Sequence, residues 1–152
     1  MVRIALYQPD IPQNTGTLLR MAACLGIAVD IIGPAGFDMT DRALKRAGLD
    51  YLEHVDLTRH VSFDAFRSNI FTDQNRRLVL LTTQAEIPYW DFRFRQSDVV
   101  LLGRESAGVP EAVHGLADAR IRIPMQPGLR SLNIAVAAAM VAGEALRQIS
   151  LR

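Results

Sequence analysis

The sequence IPMQPGLRSLN, residues 123–133, joins a short β-type run to a long apolar helix. Pro124 ends the run that begins at Ala119, and the pair Pro127-Gly128 then marks a turn. The segment closes on a hydroxyl and an amide, placed where the helix starts. Loops held between two rigid elements are where proteins commonly build sites, so we expect this loop to carry functional groups.

The same order of strand, loop and helix occurs twice earlier in the chain. The motif Asn14-x-Gly16-x-x-x-Arg20 follows an apolar run at residues 3–7, and the segment GRESAG at 103–108 follows an apolar run at 99–102. Strands that alternate with helices predict an α/β fold, a doubly wound and mostly parallel sheet with helices on both faces. Ligands bind such sheets outside the carboxyl ends of the strands, so we expect the three loops to meet there.

Apolar runs, capping residues and turn residues predict the remaining elements. The expected helices cover residues 14–25, 40–47, 62–70, 110–115 and 131–149, with Asn14, Thr40 and Ser131 as candidate N-caps and Gly26, Gly48 and Gly115 as helix ends. The expected strands cover residues 3–7, 27–32, 53–55, 78–82, 99–102 and 119–123, and the segment 84–96 receives no assignment.

The composition is that of a globular protein, and we expect residues 1–152 to form a single domain. Hydrophobic residues make up 49% of the chain and charged residues 22%, and the net charge of +1 is too small to identify a partner. Lys45 is the only lysine among 17 basic residues. Arginine grips phosphate in two places, although a compositional bias of the source explains its abundance equally well.

The sequence predicts neither a metal site nor a disulfide. The three histidines lack metal-ligand spacing, and Cys24, the only cysteine, lies in an apolar helical segment where we expect a buried thiol. No signal peptide is recognisable, and the longest uncharged apolar run, residues 132–143, is too short to cross a bilayer. These features favour a cytoplasmic protein.

Several common enzyme classes lack their motifs here. The first predicted strand is followed by QPDIPQN and not by a glycine-rich dinucleotide-binding turn. Residues 103–108 have the glycine spacing of a phosphate loop, but Val109-Pro110 stands where Lys-Ser or Lys-Thr is required. No nucleophile elbow G-x-S-x-G occurs. The sequence therefore disfavours dinucleotide binding, nucleotide triphosphate hydrolysis and hydrolysis by a serine on a nucleophile elbow.

Each polar group of the three loops also has a purely local role open to it. Asn14 and Ser131 can be simple helix caps, Arg20 a surface cation, and Glu105 an acid favoured near a helix start. The case for a site therefore depends on three polar loops occurring in order in one α/β chain. Their amide, cation, carboxylate and hydroxyl groups suit a polar organic ligand and a hydroxyl-bearing substrate.

The last predicted helix is apolar on every side over residues 134–143, IAVAAAMVAG. A helix of this kind is buried all round, either in its own core or against another subunit. Its small residues permit close approach, which favours a homodimer.

The three loops resemble the signature motifs of the SPOUT class of RNA methyltransferases. Asn14-Thr15-Gly16-x-x-x-Arg20 resembles the first motif, residues 102–110 resemble the second, and Ile123-Pro124-Met125 with residues 130–133 resembles the third. The opening at residues 6–16 and the run RAGLDY at 46–51 are similar to the smallest members of the class, which have no added RNA-binding domain. One departure is Ile134-Ala135, where relatives often have Leu-Ser.

The resemblance implies a trefoil knot in the C-terminal part of the fold and S-adenosylmethionine as the cofactor, with S-adenosylhomocysteine as product and no metal. It implies methyl transfer to the ribose 2′-hydroxyl of the wobble nucleotide, cytidine or a modified uridine, in leucine tRNA anticodons. It also implies a homodimer whose active site takes residues from both subunits. A SPOUT enzyme acting on another tRNA or rRNA site, and a binding module without turnover, remain open as alternatives.

Carried over by position, the resemblance also implies site residues. The cofactor is expected against Leu81, Thr82, Gly103, Ile123 and Ser131, and Arg20 is expected at the reacting hydroxyl with Asn14, Glu105 and Asn133 around it. For RNA binding we expect the basic residues Arg42, Lys45 and Arg46, spaced to share one helix face, and Arg130, although a solvated helix face explains the first three as well.

The chemistry of arginine limits the role of Arg20. A guanidinium stays protonated up to roughly pH 12, so it is a poor proton acceptor. We expect Arg20 to orient the nucleotide and to stabilise negative charge that develops on the oxygen. Glu105 or a phosphate-bound water is then the expected proton acceptor.

Overall fold

The computed structural model describes residues 1–46 and 51–150. Its strands are β1 (Arg3–Tyr7), β2 (Ala28–Ile32), β3 (Leu57–His60), β4 (Leu78–Leu81), β5 (Ile87–Pro88), β6 (Val99–Leu102) and β7 (Ala119–Arg122). Its α-helices are α1 (Pro12–Leu25), α2 (Asp41–Arg46), α3 (Phe63–Ile70), α4 (Glu111–Leu116) and α5 (Ile134–Ser150). The predicted helix end at Ala47 and Gly48, and residues 47–50 of the run RAGLDY, lie outside the described residues.

The seven strands form one sheet in the order β3-β2-β1-β6-β4-β7-β5, and every neighbouring pair is parallel. The predicted parallel α/β fold is therefore confirmed. The chain builds β1 to β3 in one direction and then crosses to place β4 to β7 on the other side of β1. Because β1 and β6 are neighbours, the loops that follow them start side by side at the carboxyl edge of the sheet.

The central strands are buried on both faces, which explains their uninterrupted apolar sequences. β4 reads LVLL and β6 reads VVLL, and all four side chains of β6 are buried. Helices α1 and α5 contribute Leu18, Leu19, Ala138 and Ala142 to the core on one side of the sheet, and α3 contributes Phe66 on the other.

Several local predictions are confirmed by the hydrogen bonds of the helix ends. Gly26 ends α1 in the left-handed conformation at φ 66°, and its N–H donates to the last turn of the helix. The helix predicted at residues 62–70 is present as α3, and the hydroxyl of Ser62 accepts from Ala65 N at 3.1 Å as its N-cap, a role not assigned from the sequence. The hydroxyl of Thr40 accepts from Ala43 N at 3.2 Å at the start of α2.

Two predicted caps are wrong. α1 begins at Pro12 with Ile11 as its cap residue, so Asn14 lies inside the helix. Proline suits the first helical turn because it has no N–H to leave unpaired. α5 begins at Ile134 and not at Ser131, because the Asn133 side-chain oxygen accepts from Ala135 N at 2.9 Å and from Val136 N at 3.3 Å.

Three further assignments are corrected. The predicted strand at 53–55 is a 3₁₀ turn at Leu52–His54, and the strand follows it at Leu57–His60. Gly115 lies within α4, which ends at Leu116. The unassigned segment 84–96 contributes the edge strand β5, which pairs with β7.

Two buried carboxylates join neighbouring strands. Asp30 on β2 accepts from Arg3 Nε at 2.7 Å and lies 2.8 Å from His60 Nε2. Asp98 accepts from Arg77 Nε at 2.8 Å and from Arg77 Nη2 at 2.7 Å. Both carboxylates are fully buried, and such groups are tolerated only when they are paired.

The core of the chain buries only part of the last helix, and the predicted alternative, burial against another subunit, concerns the rest. Only one face of α5 packs into the core, and the opposite face exposes Val136, Ala139, Met140 and Gly143 at helical spacing. Val136 is 51% exposed and Met140 is 37% exposed. Cys24 on α1 is also exposed, so the expected burial of its thiol is wrong. Among the described residues, no helix is long and apolar enough to cross a membrane.

Candidate active site

A pocket of about 440 Å³ opens at the carboxyl ends of β4, β6 and β7. This volume is in the range of sites for small organic ligands and cofactors. The lining comes from Ile11 and Asn14, residues 80–83, residues 102–105 with Gly108 and Val109, and Ile123, Met125, residues 130–134 and Ala137. The three polar loops therefore meet at the predicted edge of the sheet.

The pocket brings together nearly all the residues predicted for the site. The five predicted cofactor contacts, Leu81, Thr82, Gly103, Ile123 and Ser131, all line it. Asn14, Glu105 and Asn133 line it as well. Apolar side chains alternate in the wall with hydroxyl, amide and charged groups, which suits a ligand with both a flat apolar part and polar edges.

The loop after β6 folds back tightly on itself. Arg104 N donates to Gly108 O at 3.0 Å, and Gly108 N donates to Arg104 O at 2.8 Å. A Cβ atom on Gly103 would lie 2.7 Å from Gly108 Cα and 2.8 Å from its carbonyl carbon. Gly108 itself has φ 66°, a conformation that other residues rarely adopt. Two glycines are therefore required for this wall of the pocket.

Asn14 and Asn133 hold the first and third loops together. Asn133 Nδ2 donates to Asn14 Oδ1 at 2.9 Å, while Asn133 Oδ1 caps α5. Residues 119 positions apart thus share one hydrogen bond at the pocket wall. The sequence offered Asn14 a local capping role, and the resemblance placed it with Asn133 at the reacting hydroxyl, but no local signal marks the hydrogen bond between them.

Glu105 lies in the pocket wall beside a second carboxyl group. Its Oε2 accepts from Asp10 N at 3.2 Å, and the Asp10 carboxylate in turn contacts the hydroxyl of Ser106 and lies 3.5 Å from Arg104 Nη2. Burial and the contact with Asp10 raise the pKa of Glu105. Hydrogen bonds with Glu105 and Ser106 lower the pKa of Asp10 to about 2. Glu105 is thereby a stronger base than an ordinary carboxylate.

Within one chain Arg20 does not line this pocket, unlike Asn14, Glu105 and Asn133, with which the resemblance groups it. A separation of six residues turns the helix by about 240°, so Arg20 and Asn14 lie on different faces of α1. Arg20 is exposed, and its guanidinium carbon lies 4.8 Å from the centroid of the Tyr51 ring. This distance is that of a cation–π contact.

The basic residues predicted to bind RNA lie in two places. Arg42, Lys45 and Arg46 are exposed on α2, and Arg130 lines the pocket. The aromatic residues of the segment 84–96 also differ in their exposure. Phe92 and Phe94 are buried in the core, and Trp90 is 52% exposed. Among the described residues, no three His, Cys, Asp or Glu side chains lie close enough to hold a metal ion.

Comparison with known proteins identifies similar sequences over nearly the whole chain. Residues 1–143 match the model of the SpoU rRNA Methylase family. A tRNA (cytidine(34)-2′-O)-methyltransferase of Beijerinckia indica is 64% identical over 146 residues, which are 96% of this chain and 91% of that protein. The Escherichia coli K12 protein of the same name is 38% identical over 151 residues, covering 98% of this chain and 94% of its own.

Solved structures share the fold as well. One from a study of "the 2-OH methylation of C/U34 on tRNA" superposes with a TM-score of 0.91 at 43% identity, covering 100% of this chain and 98% of its own. The SpoU methyltransferase AviRb of Streptomyces viridochromogenes, in complex with AdoMet, has a TM-score of 0.87 at 28% identity and covers 97% of this chain and 57% of its own.

Proposed function

Because the chain belongs to the SpoU rRNA methylase family, we propose that it methylates the ribose 2′-hydroxyl of nucleotide 34 in tRNA, using S-adenosylmethionine. The substrate base is cytidine or a modified uridine, and the tRNAs are those for leucine. One observation carries the proposal. The predicted cofactor contacts and three of the four predicted catalytic residues line a single pocket, in a chain 64% identical to an enzyme named for this reaction.

The residues of the pocket fit the proposed cofactor. Ile123 and Met125 offer an apolar surface for a flat base, and the backbone beside Leu81, Thr82 and Gly103 offers hydrogen-bonding groups for its edge and for a ribose. A side chain at Gly103 would collide with the backbone of Gly108, so this glycine permits the close turn that forms the pocket wall. When bound, S-adenosylmethionine supplies a methyl group activated by attachment to a sulfonium.

The protein contributes orientation, charge stabilisation and a proton acceptor. A ribose hydroxyl is a weak nucleophile, so alignment of the reacting atoms and removal of its proton both lower the barrier. Glu105 accepts this proton, because burial and Asp10 raise its pKa and so make it a stronger base. Arg20 donates hydrogen bonds that orient the nucleotide and stabilise the negative charge developing on the oxygen.

The position of Arg20 supports a homodimer with shared active sites. Within one chain Arg20 is exposed on α1 and is absent from the pocket lining. α1 packs against α5, and the outer face of α5 exposes the apolar side chains of Val136 and Met140. Two copies that pair through these faces would bury the apolar stripe. Each pocket would then receive Arg20 from the other copy.

The remaining parts of the proposal concern RNA and location. Residues 1–152 act as one catalytic domain in the cytoplasm. Arg130 contacts the nucleotide from the pocket wall, and the exposed face of α2 contacts neighbouring phosphates through Arg42, Lys45 and Arg46. Arginine and lysine on an exposed helix suit a phosphate backbone, since they neutralise its charge without reading its bases.

Replacing Arg42, Lys45 and Arg46 together with alanine is expected to raise the Kd for tRNA about tenfold, the sum of three solvent-screened contacts. The slope of log affinity against log salt should fall by about 2. The affinity for S-adenosylmethionine should stay unchanged. Filter binding across a salt series measures both quantities. Arg67→Ala, which removes an exposed arginine of α3, is the matched control. An equal loss of tRNA affinity in that variant would contradict the assignment of α2 to the tRNA interface.

Methyl transfer itself tests the proposed function. The protein is incubated with labelled S-adenosylmethionine and unmodified tRNA, and the RNA is digested and analysed by mass spectrometry. A 2′-O-methylated pyrimidine at position 34 is the expected product. A methylated nucleotide elsewhere in tRNA or in rRNA would show that the proposed substrate is wrong. Cofactor binding without methyl transfer to any RNA would contradict enzymatic function.

A further inference from the structure

A second, much smaller cavity lies next to the pocket, where the end of β1, the first turns of α1 and the loop after β6 meet. Its volume is about 10 Å³. Asn14, Gly103 and Glu105 line both this cavity and the pocket, and Thr15 lines only the small cavity. Glu105, the proposed proton acceptor, therefore borders both the pocket and the small cavity.

Thr15 contributes a buried hydroxyl to this cavity. The residue is only 2% exposed, and its Oγ1 has no hydrogen-bond partner among the described residues. Threonine inside a helix often bonds to a carbonyl of the preceding turn, as the Thr17 hydroxyl does with Gln13 O at 3.0 Å, but Thr15 Oγ1 makes no such bond. Buried polar atoms are nearly always paired, either with protein or with an ordered water, so this hydroxyl needs a partner.

We propose that the cavity is a binding site for one water molecule that hydrogen-bonds to Thr15 Oγ1 and donates to the Glu105 carboxylate. A cavity needs about 10–15 Å³ to hold one water, and the water needs at least two polar neighbours. Thr15, Glu105 and the side-chain amide of Asn14 supply them. The role in catalysis rests on the proposed function, whereas the water site itself does not.

The water makes Thr15 a positioning residue for Glu105. One oxygen of Glu105 accepts from Asp10 N, so the water provides a second donor to the same carboxylate. The charged groups around Glu105 are Asp10, which follows β1, its chain neighbour Arg104, which lies 3.5 Å from Asp10, and Arg130, which lines the same pocket. A donor to the charged carboxylate opposes the rise in its pKa that burial and Asp10 cause.

Stability of Thr15 variants tests the water site without any assay of activity. Thr15→Val keeps the side-chain shape and removes the hydroxyl, and Thr15→Ser keeps the hydroxyl. If the water is bound, Thr15→Val loses a hydrogen bond and its Tm should fall by about 3 °C, with Thr15→Ser the less affected of the two. If no water is bound, the Thr15 hydroxyl is a buried polar group without a partner. Replacing it with valine then removes this unfavourable group and should not lower the Tm. A Tm of Thr15→Val at or above that of the wild type would overturn the proposal.

The pH dependence of kcat tests the link to Glu105. A proton acceptor must be ionised, so the rate falls on the acidic side as pH drops through its pKa. Loss of one donor raises that pKa, and the acidic limb of Thr15→Val should move up by about 0.5 pH unit, with Thr15→Ser restoring it. If the acidic limb of the kcat profile does not shift in Thr15→Val, the positioning role of Thr15 is wrong. A wild-type protein that methylates no RNA would instead refute the proposed function, while the Tm comparison would still decide the water site.

Discussion

Replacing Arg20 with alanine is expected to lower kcat by about 10²- to 10³-fold, the usual loss when one preorganised donor to a developing negative charge is removed. The affinity for S-adenosylmethionine should stay within about twofold of the wild type, because Arg20 is proposed to act on the nucleotide and the proposed cofactor contacts are other residues. Single-turnover methylation of tRNA measures the first quantity, and calorimetric titration of the cofactor measures the second.

The lysine variant at the same position separates charge from geometry. Lysine keeps the positive charge but has no planar fork, so Arg20→Lys should recover only a small part of the lost rate. Arg93→Ala, which removes an exposed arginine of the segment between β5 and β6, is the matched control and should turn over normally. Wild-type turnover in Arg20→Lys would contradict any role that depends on the guanidinium.

Replacing Gly103 with valine is expected to weaken cofactor binding by about 100-fold or more. Even the first added carbon would lie 2.7 Å from Gly108 Cα. The nearest atoms are all backbone atoms of Gly108, so there is no flexible side chain that could move away. Overpacking of this kind costs about 1–3 kcal/mol for added methylenes, and 2.7 kcal/mol is about 100-fold in Kd. The strain should open the β6 loop and so distort the pocket wall.

The control for this variant is another glycine of the same chain. Nothing lies within 4 Å of a Cβ built on Gly115, which sits within α4, so Gly115→Ala should bind the cofactor as the wild type does. Calorimetric titration with S-adenosylhomocysteine measures both variants without turnover. Wild-type affinity in Gly103→Val would show that this loop does not form the cofactor wall.

The fold could be predicted from sequence wherever burial dominated the local pattern. β4 and β6 contain only Leu and Val, so their apolar runs identify them directly. β3 was missed because its sequence, LTRH, contains one apolar residue. That strand forms because it pairs with β2 and because His60 meets the buried carboxylate of Asp30. Neither partner is visible from the local sequence.

The site was predictable as a set of loops but not as a set of contacts. The resemblance named the polar residues, and parallel-sheet topology brought their loops to one edge. The pairing of Asn14 with Asn133, the contact of Asp10 with Glu105 and the buried hydroxyl of Thr15 all depend on how distant segments pack. The exposed face of α5 likewise depends on how much of the helix the sheet covers.

A mixing experiment tests most directly whether Arg20 of one copy completes the pocket of another. The Arg20→Ala and Gly103→Val proteins, each inactive alone, are unfolded together in equal amounts and refolded to exchange subunits. Half of the resulting dimers combine one of each variant and contain one intact site, so about a quarter of wild-type methylation should return. No recovery of activity above that of the separate variants would contradict the shared site.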